Sequence, residues 1–262
     1  MYFQMKKGLI LLLAMALMLS GVACGSGDAK AETFHVGTSA DYPPYEFIQL
    51  DDSGNEVLVG ADIELAKILA EKLGKELKIT NMSFDGLLGS LAEGQFDCVI
   101  AGLTNDPERE VLFSDNYFAR NQVCIIHSDS AGTIQTVDDM AGLKIAGQTG
   151  TVQETLAKEY AGESAIAVQN FNDMIMMLQG GQLDGIVSDS DVAEGFVATN
   201  ADLMLAPFTI PYENDAVAIA FQLGNQELCD QVNAILAELK EDGTIEQLMA
   251  DAKALQEELA AE

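Results

Sequence analysis

The sequence predicts an α/β protein made of two similar lobes joined by a two-strand hinge. Three observations carry that expectation. Short apolar runs alternate with helical apolar patterns along the chain, which indicates parallel sheets covered by helices. Gly94-Gln95-Phe96-Asp97-Cys98-Val99-Ile100 recurs as Gly181-Gln182-Leu183-Asp184-Gly185-Ile186-Val187, each copy following a helical pattern and running into a polar loop. A repeat this short also arises when two helix–strand units merely share turn chemistry. Finally, two connecting segments, near Arg120-Asn121-Gln122 and Pro211–Asp215, bracket the second copy. Lobe 1 is then expected over 33–117 and 215–262, lobe 2 over 122–210, and the hinge near 118–122 and 210–215.

The N-terminus reads as processing sequence. Met1-Tyr2-Phe3-Gln4 precedes a second Met and looks like an expression scar. Lys6 and Lys7 lead an apolar stretch from Gly8 to Leu19, then Ser20-Gly21-Val22-Ala23-Cys24. That is a basic n-region, a short h-region and a small-residue cleavage site. The stretch falls short of the roughly 20 residues that a membrane span needs. Cys24 after small residues resembles a bacterial lipoprotein signal, in which the Cys becomes the lipidated first residue, although Gly21 stands where Leu is usual. Ordinary secretion with cleavage near Ala23 or Ala31 is the alternative. Residues 24–32 read as a flexible tether.

The remaining elements follow in order. Phe34–Gly37 alternates like a strand and ends in Thr38-Ser39-Ala40-Asp41-Tyr42-Pro43-Pro44-Tyr45, where two prolines impose an extended or turned backbone. Asp51–Asn55 is a hairpin tip. Asp62–Leu73 is a helix, with Ile63, Ala66, Leu69, Ala70 and Leu73 on one face and Gly74 as its stop. Leu77–Ile79 is a strand, and Ser83-Phe84-Asp85-Gly86 opens the next helix. Cys98–Ala101 is a strand buried on both faces. It runs into Gly102 and Thr104, then a turn with Pro107 at a helix start and Arg109 within its first turn. In the second lobe Val123–Ile126 and Leu143–Ala146 are strands. Gly147-Gln148-Thr149-Gly150-Thr151 is a Gly-rich turn into the helix Val152–Tyr160. It is no Walker or GxGxxG motif, and it serves either as an anion seat or as a helix cap. Ala206–Asn214 is a connector, Ala216–Phe221 a strand, and Asn225–Lys240 and Thr244–Leu259 are helices broken at Asp242-Gly243.

Composition narrows the function. A formal net charge of −29 argues against nucleic acid and anionic lipid as partners, since both favour basic patches. The acidity either attracts cationic solutes or is a solvated surface. After Cys24 the cysteines are Cys98, Cys124 and Cys229, all in apolar or helical patterns. They read as small buried hydrophobes, with one bridge still conceivable. With only His35 and His127 and no CxxC spacing, no metal site and no cofactor is expected.

Only thirteen Lys and Arg occur in 262 residues, so Arg109 just beyond a strand end calls for a reason. A surface pairing with Glu108 or Glu110 is one. The other is a loop that offers backbone N–H groups, a hydroxyl and a guanidinium fork to a carboxylate. Ligands of open α/β sheets bind beyond the carboxyl ends of the strands. Two such ends facing each other would set Arg109 and Thr104 against Asp189, a cation and an anion matched to a zwitterion.

Here the residues resemble a known family. Gly60-Ala61-Asp62-Ile63-Glu64-Leu65 with Leu69-Ala70 is similar to the signature of family 3 extracellular solute-binding proteins, the polar amino-acid receptors of ABC importers. Tyr-Pro-Pro-Tyr-Glu-Phe, Ser-Phe-Asp-Gly, Ala-Gly-Leu-Thr…Glu-Arg, Phe113-Ser114-Asp115 and Thr149-Gly150 fit in the same order, over about residues 33–250. The resemblance implies two Rossmann-like lobes of the type II periplasmic-binding-protein class. It implies that Arg109 holds a ligand α-carboxylate with Thr104 and the backbone N–H groups of Thr104 and Thr149. Gly102 carbonyl and Asp189 would take the α-ammonium, with Ala101 on the same loop and Gly150 on the facing wall. Tyr42 and Phe84 would pack on the ligand side chain, with Tyr45 nearby. In that family, many binders of basic amino acids and of glutamine carry Asp where Ser39 stands, and some arginine binders carry Ser; Glu46 then either supplies the charge or faces solvent. The implied ligand is arginine or lysine, with glutamine or another polar amino acid as alternative. The partners implied are a membrane permease and, through Cys24, a lipid anchor at the outer face of the cell membrane, or else a periplasmic location. The protein is expected to act as a monomer. An enzyme of the cyclohexadienyl dehydratase kind on the same fold is the rival, with Asp41, Glu46 and Asp189 as its candidate acids and bases.

Overall fold

The computed structural model describes residues 32–214 and 216–260. The leader, the expected lipidation at Cys24 and the tether up to residue 31 lie outside them, as does Asp215 of the second hinge segment. Two five-stranded sheets define two lobes. In the first sheet β1 (Thr33–Thr38) lies between β4 (Glu76–Asn81) and β5 (Cys98–Val99), parallel to both. Then β14 (Ala220–Phe221) runs antiparallel to β5 and to β6 (Leu112–Phe113). The second sheet has the order β10 (Ile166–Val168), β9 (Ile145–Gln148), β11 (Gly185–Asp189), β8 (Gln122–His127) and β12 (Leu203–Ile210). In it β9 is parallel to β10 and β11, and β8 is antiparallel to β11 and β12.

Both sheets are therefore mixed, not parallel throughout. The antiparallel members are strands by which the chain enters or leaves a lobe through the hinge. Their direction follows from the crossing, not from a βαβ unit. The hinge crossings pair with each other as β7 (Phe118–Ala119) and β13 (Ala216–Val217), antiparallel. Three expected elements change. The single strand expected over Ala216–Phe221 is two, β13 at the hinge and β14 in the first sheet, because the chain turns from one sheet to the other between them. The stretch from Ala206 to Ile210 is the second half of β12; Pro207 is tolerated because the strand is an edge and its register shifts between Leu205 and Thr209. Pro107–Arg109 forms a turn closed by Arg109 N–H to Asp106 carbonyl (3.1 Å), because β6 begins too soon for a helix.

The helices sit where apolar periodicity places them. Helix α1 (Ala61–Leu73) stops at Gly74 in the left-handed conformation. Gly60 before it has φ 120°, and a Cβ there would collide with the carbonyl of Tyr45. Then come α2 (Phe84–Ala92), α3 (Val152–Ala161), α4 (Phe171–Gln179), α5 (Ser190–Thr199) and α6 (Gln226–Glu241). The last, α7 (Thr244–Ala260), packs on α1 and α6 and reaches across to α5 of the other lobe. There Lys253 Nζ lies 2.5 Å from Asp191 Oδ1, and Gln256 presses on Gly195. The hairpin β2 (Phe47–Leu50) and β3 (Glu56–Val59) turns at Asp51, whose Oδ1 accepts from Ser53 and Asn55 N–H, both at 2.8 Å. Cys98, Cys124 and Cys229 are unpaired and buried, and burial pushes the Cys124 thiol up to about 12.

Candidate functional site

The carboxyl ends of β5 and β11 face each other. After β5 the backbone bends through Ala101-Gly102-Leu103-Thr104, and Asp62 shapes the bend. Asp62 sits in the first turn of α1, where it is almost fully buried. It accepts from Gly102 N–H and from Tyr117 hydroxyl, both at 2.7 Å. Gly102 has φ 51° and lies against the rings of Tyr42 and Tyr45, so only glycine meets both demands. Opposite, Asp189 ends β11 in the N-cap position of α5, but its side chain does not cap that helix.

Between these ends lies a cavity. Tyr42, Phe84, Ala101, Gly102, Thr104 and Arg109 line it from one lobe, and Gln148, Thr151, Val152, Gln153 and Asp189 from the other. It measures about 10 Å³, room for one water and far from the roughly 300–1,000 Å³ of a ligand pocket. The lobes are in direct contact around it. Tyr42 hydroxyl donates to Asp189 Oδ2 at 2.8 Å. Asp41 Oδ2 accepts from Phe171 N–H at the start of α4 (2.8 Å) and from Gln148 (3.0 Å). Its burial pushes that carboxyl above the ordinary value.

Arg109 spans the cavity edge. Its Nη2 donates to Gly150 carbonyl at 3.0 Å, and its Cζ stands 5.7 Å over the Phe84 ring, within cation–π range. Asp106 is 3.9 Å from Nε. Nη1 is buried without a partner. Burial lowers its pKa, yet a guanidinium stays charged at neutral pH. A charged donor left unpaired beside a cavity is a seat for an anion.

Asp189 is fully buried and surrounded by donors. Oδ1 accepts from Gln122 (2.6 Å) and Gln153 (2.9 Å) and pairs with Arg120 Nε at 2.6 Å. Arg120 also donates through Nη2 to Thr104 Oγ1 (2.7 Å) and Gly102 carbonyl (3.2 Å).

Seven of the residues singled out from sequence line the cavity: Tyr42, Phe84, Ala101, Gly102, Thr104, Arg109 and Asp189. Gly150 stands next to it as the acceptor for Arg109. Four residues are placed elsewhere. Ser39 donates to Asp41 (3.2 Å) and borders a different surface groove. Tyr45 is buried behind Tyr42, with ring centroids 6.1 Å apart, and reaches Asp191 at 3.5 Å. The N–H of Thr149 is bonded to Val168 carbonyl at 2.9 Å, which extends β9 and takes that N–H away from a ligand. Glu46 faces neither cleft nor solvent: it is fully buried beside Asp62.

Burial first, and then the nearby Asp62 carboxylate, hold the Glu46 carboxyl well above its ordinary value, which favours its protonated form in the folded protein. The folded state then binds a proton that the unfolded chain has lost above about pH 4.5, and stability falls as pH rises from there toward the folded value. Each pH unit in that window costs up to about 1.4 kcal/mol. Glu46→Gln should therefore flatten the pH dependence. Denaturant titrations at pH 5 and pH 7 should show the variant losing less stability between them than the wild type; equal losses would mean that Glu46 is ionised when folded.

Sequence reasoning missed Arg120, Gln122, Gln153 and the organising role of Asp62. One signal was available. The scarcity of cations that singles out Arg109 applies equally to Arg120, which stands between two apolar runs at the hinge.

The family model described as bacterial extracellular solute-binding proteins, family 3, matches residues 34–251. The arginine-binding extracellular protein ArtP of Bacillus subtilis (strain 168) is 36% identical over 256 residues, covering 93% of this chain and 96% of its own. The crystal structure of the amino acid ABC transporter substrate-binding protein AbpA from Streptococcus pneumoniae bound to L-arginine superposes with a TM-score of 0.82 at 33% identity, covering 86% of this chain and 95% of that one. An ancestral arginine-binding protein bound to glutamine gives 0.74 at 35% identity, covering 82% and 95%.

Proposed function

Because the chain belongs to family 3 of the bacterial extracellular solute-binding proteins, we propose that it captures L-arginine between its lobes and delivers it to the permease of an ABC importer. One observation carries the reading: a guanidinium with a buried, unpartnered N–H lines the same cavity as a buried carboxylate from the other lobe. That is a seat for an α-carboxylate facing a seat for an α-ammonium. Arg109 takes the carboxylate; Asp189 and Gly102 carbonyl take the ammonium, and Thr104 Oγ1, expected from sequence on the carboxylate, joins them because it accepts from the Arg120 guanidinium and faces that side. Tyr42 and Phe84 flank the side chain. Arginine is favoured by the relatives that bind it, and glutamine is the second reading, since a similar protein holds it.

The protein works by lobe closure and does no chemistry. A general base needs a free lone pair within reach of a substrate proton. The one carboxylate lining the cavity, Asp189, is instead held by Arg120, Gln122, Gln153 and Tyr42. Only the closed form joins both halves of the ligand shell, so ligand shifts the population toward it. A shift from 1:99 to 99:1 takes about 5.5 kcal/mol of differential affinity, within reach of a buried zwitterion with several charge-assisted bonds. The closed form is what the permease reads. We further assign the protein to the outer face of the cell membrane, anchored through a lipid on Cys24 and acting as a monomer.

Calorimetry on refolded protein tests the reading. L-arginine should bind at micromolar Kd or tighter, and at about 100 times Kd it should add roughly 2.7 kcal/mol of apparent stability. No heat and no melting shift with any of the twenty amino acids would refute it. Turnover of a prephenate-like acid would support the enzymatic rival.

A further inference from the structure

Arg120 sits at the hinge, between β7 and β8, yet its side chain is completely buried in the cleft. Its guanidinium touches both lobes: Gly102 carbonyl and Thr104 Oγ1 on one side, Asp189 on the other. Those three acceptors are the ones assigned above to a ligand ammonium. No other cation pairs with Asp189 among the described residues. Two atoms of Arg120, Nε and Nη1, are buried without a well-formed hydrogen bond, so the fit is imperfect for a purely structural ion pair. Arg120 already takes all three acceptors, so a ligand ammonium and this guanidinium cannot pair with them at once.

We propose that Arg120 is a specificity-determining residue that acts as an internal competitor: it occupies the ammonium seat and is exchanged for the ligand's own ammonium on binding. The inference rests on the amino-acid reading of the same cleft. Its physical logic is charge conservation in a dry site. With the lobes in contact Asp189 is too buried to stand alone, so some cation must face it whenever they close. With Arg120 present, that cation is supplied by the chain whenever the ligand is not there, and the lobes can meet without exposing a bare carboxylate. A ligand ammonium then gains only the difference between its own pairing and that of Arg120. A ligand lacking the ammonium leaves Arg120 in place and pays no penalty at Asp189.

A four-way calorimetric comparison tests this: L-arginine and its deamino analogue, 5-guanidinopentanoate, against wild type and Arg120→Ala. The ratio of the two Kd values measures what the ammonium contributes. In Arg120→Ala the analogue leaves Asp189 unpaired while L-arginine supplies the missing charge, so the ratio should rise about tenfold or more. The melting shift with L-arginine should grow as well. Arg120→Gln, which keeps a donor and most of the volume, should change in the same direction and serves if the alanine variant does not fold. A ratio unchanged within about twofold in the variants that fold would overturn the competitor role and leave Arg120 as a structural cation. Wild-type protein that gives no heat with L-arginine or any other L-amino acid would overturn the receptor reading itself, a result distinct from binding with an unchanged ratio.

Discussion

Asp189→Asn is expected to cost both ligand binding and a large part of the folding stability. The carboxylate is the counter-charge of Arg120, whose side chain is fully buried. Removing one partner of a buried ion pair leaves the other charge stranded and costs about 3–5 kcal/mol. For a chain of this size that is on the order of 10 °C in melting temperature. Asparagine keeps an acceptor for Gln122 and Gln153, so the loss is electrostatic rather than steric. From sequence, Asp189 reads as a group on a solvated cleft wall whose removal the fold would survive. Burial changes that expectation. Differential scanning calorimetry of Asp189→Asn and of Asp189→Asn with Arg120→Gln decides it. The double variant has no buried charge left at this point and should regain much of the stability while still failing to bind. A single variant that melts with the wild type would show the pair to be solvated.

Arg109→Ala is expected to abolish tight binding with little effect on the fold. Its side chain is partly open, its ion pair with Asp106 is long at 3.9 Å, and it stands at a turn instead of in the core. Its value lies in the ligand. Truncating the partner of a desolvated charge costs about 2–5 kcal/mol, a loss of roughly 30-fold to several-thousand-fold in Kd. Arg109→Lys should recover only part of this, because a lysine cannot form the planar fork or stack on Phe84. Calorimetry with L-arginine reads the loss, and a near-native Kd in Arg109→Ala would move the carboxylate seat elsewhere.

Much of this molecule is legible in its sequence, for a physical reason in each case. Helix α1 is written in its apolar spacing and in Gly74, both local signals. Arg109, Thr104 and Asp189 are legible because the ends of β5 and β11 are where open sheets place ligands. Strand direction is another matter. Nothing local distinguishes β8 and β14 from parallel strands, since their orientation comes from the hinge crossings. The same holds for Glu46, whose neighbour Asp62 is brought to it only by the fold. Arg120 escaped for a third reason: a hinge residue belongs to neither lobe in a linear reading, and only the crossing geometry turns its side chain into the cleft.

The placement of β14 bears on how the chain comes to be folded at all. Residues 220–221 lie between β5 and β6, pairing with Val99 and Phe113 far upstream. All five strands of the second sheet fall within 122–210. A chain emerging from its N-terminus therefore delivers that sheet whole, while the first still lacks an inner strand. Until β14 arrives, β5 and β6 present bare edges open to pairing with other chains. The last-emerging segment is what closes the first-emerging lobe. Early compaction is thus open to the second lobe and closed to the first until residues 220–221 have emerged.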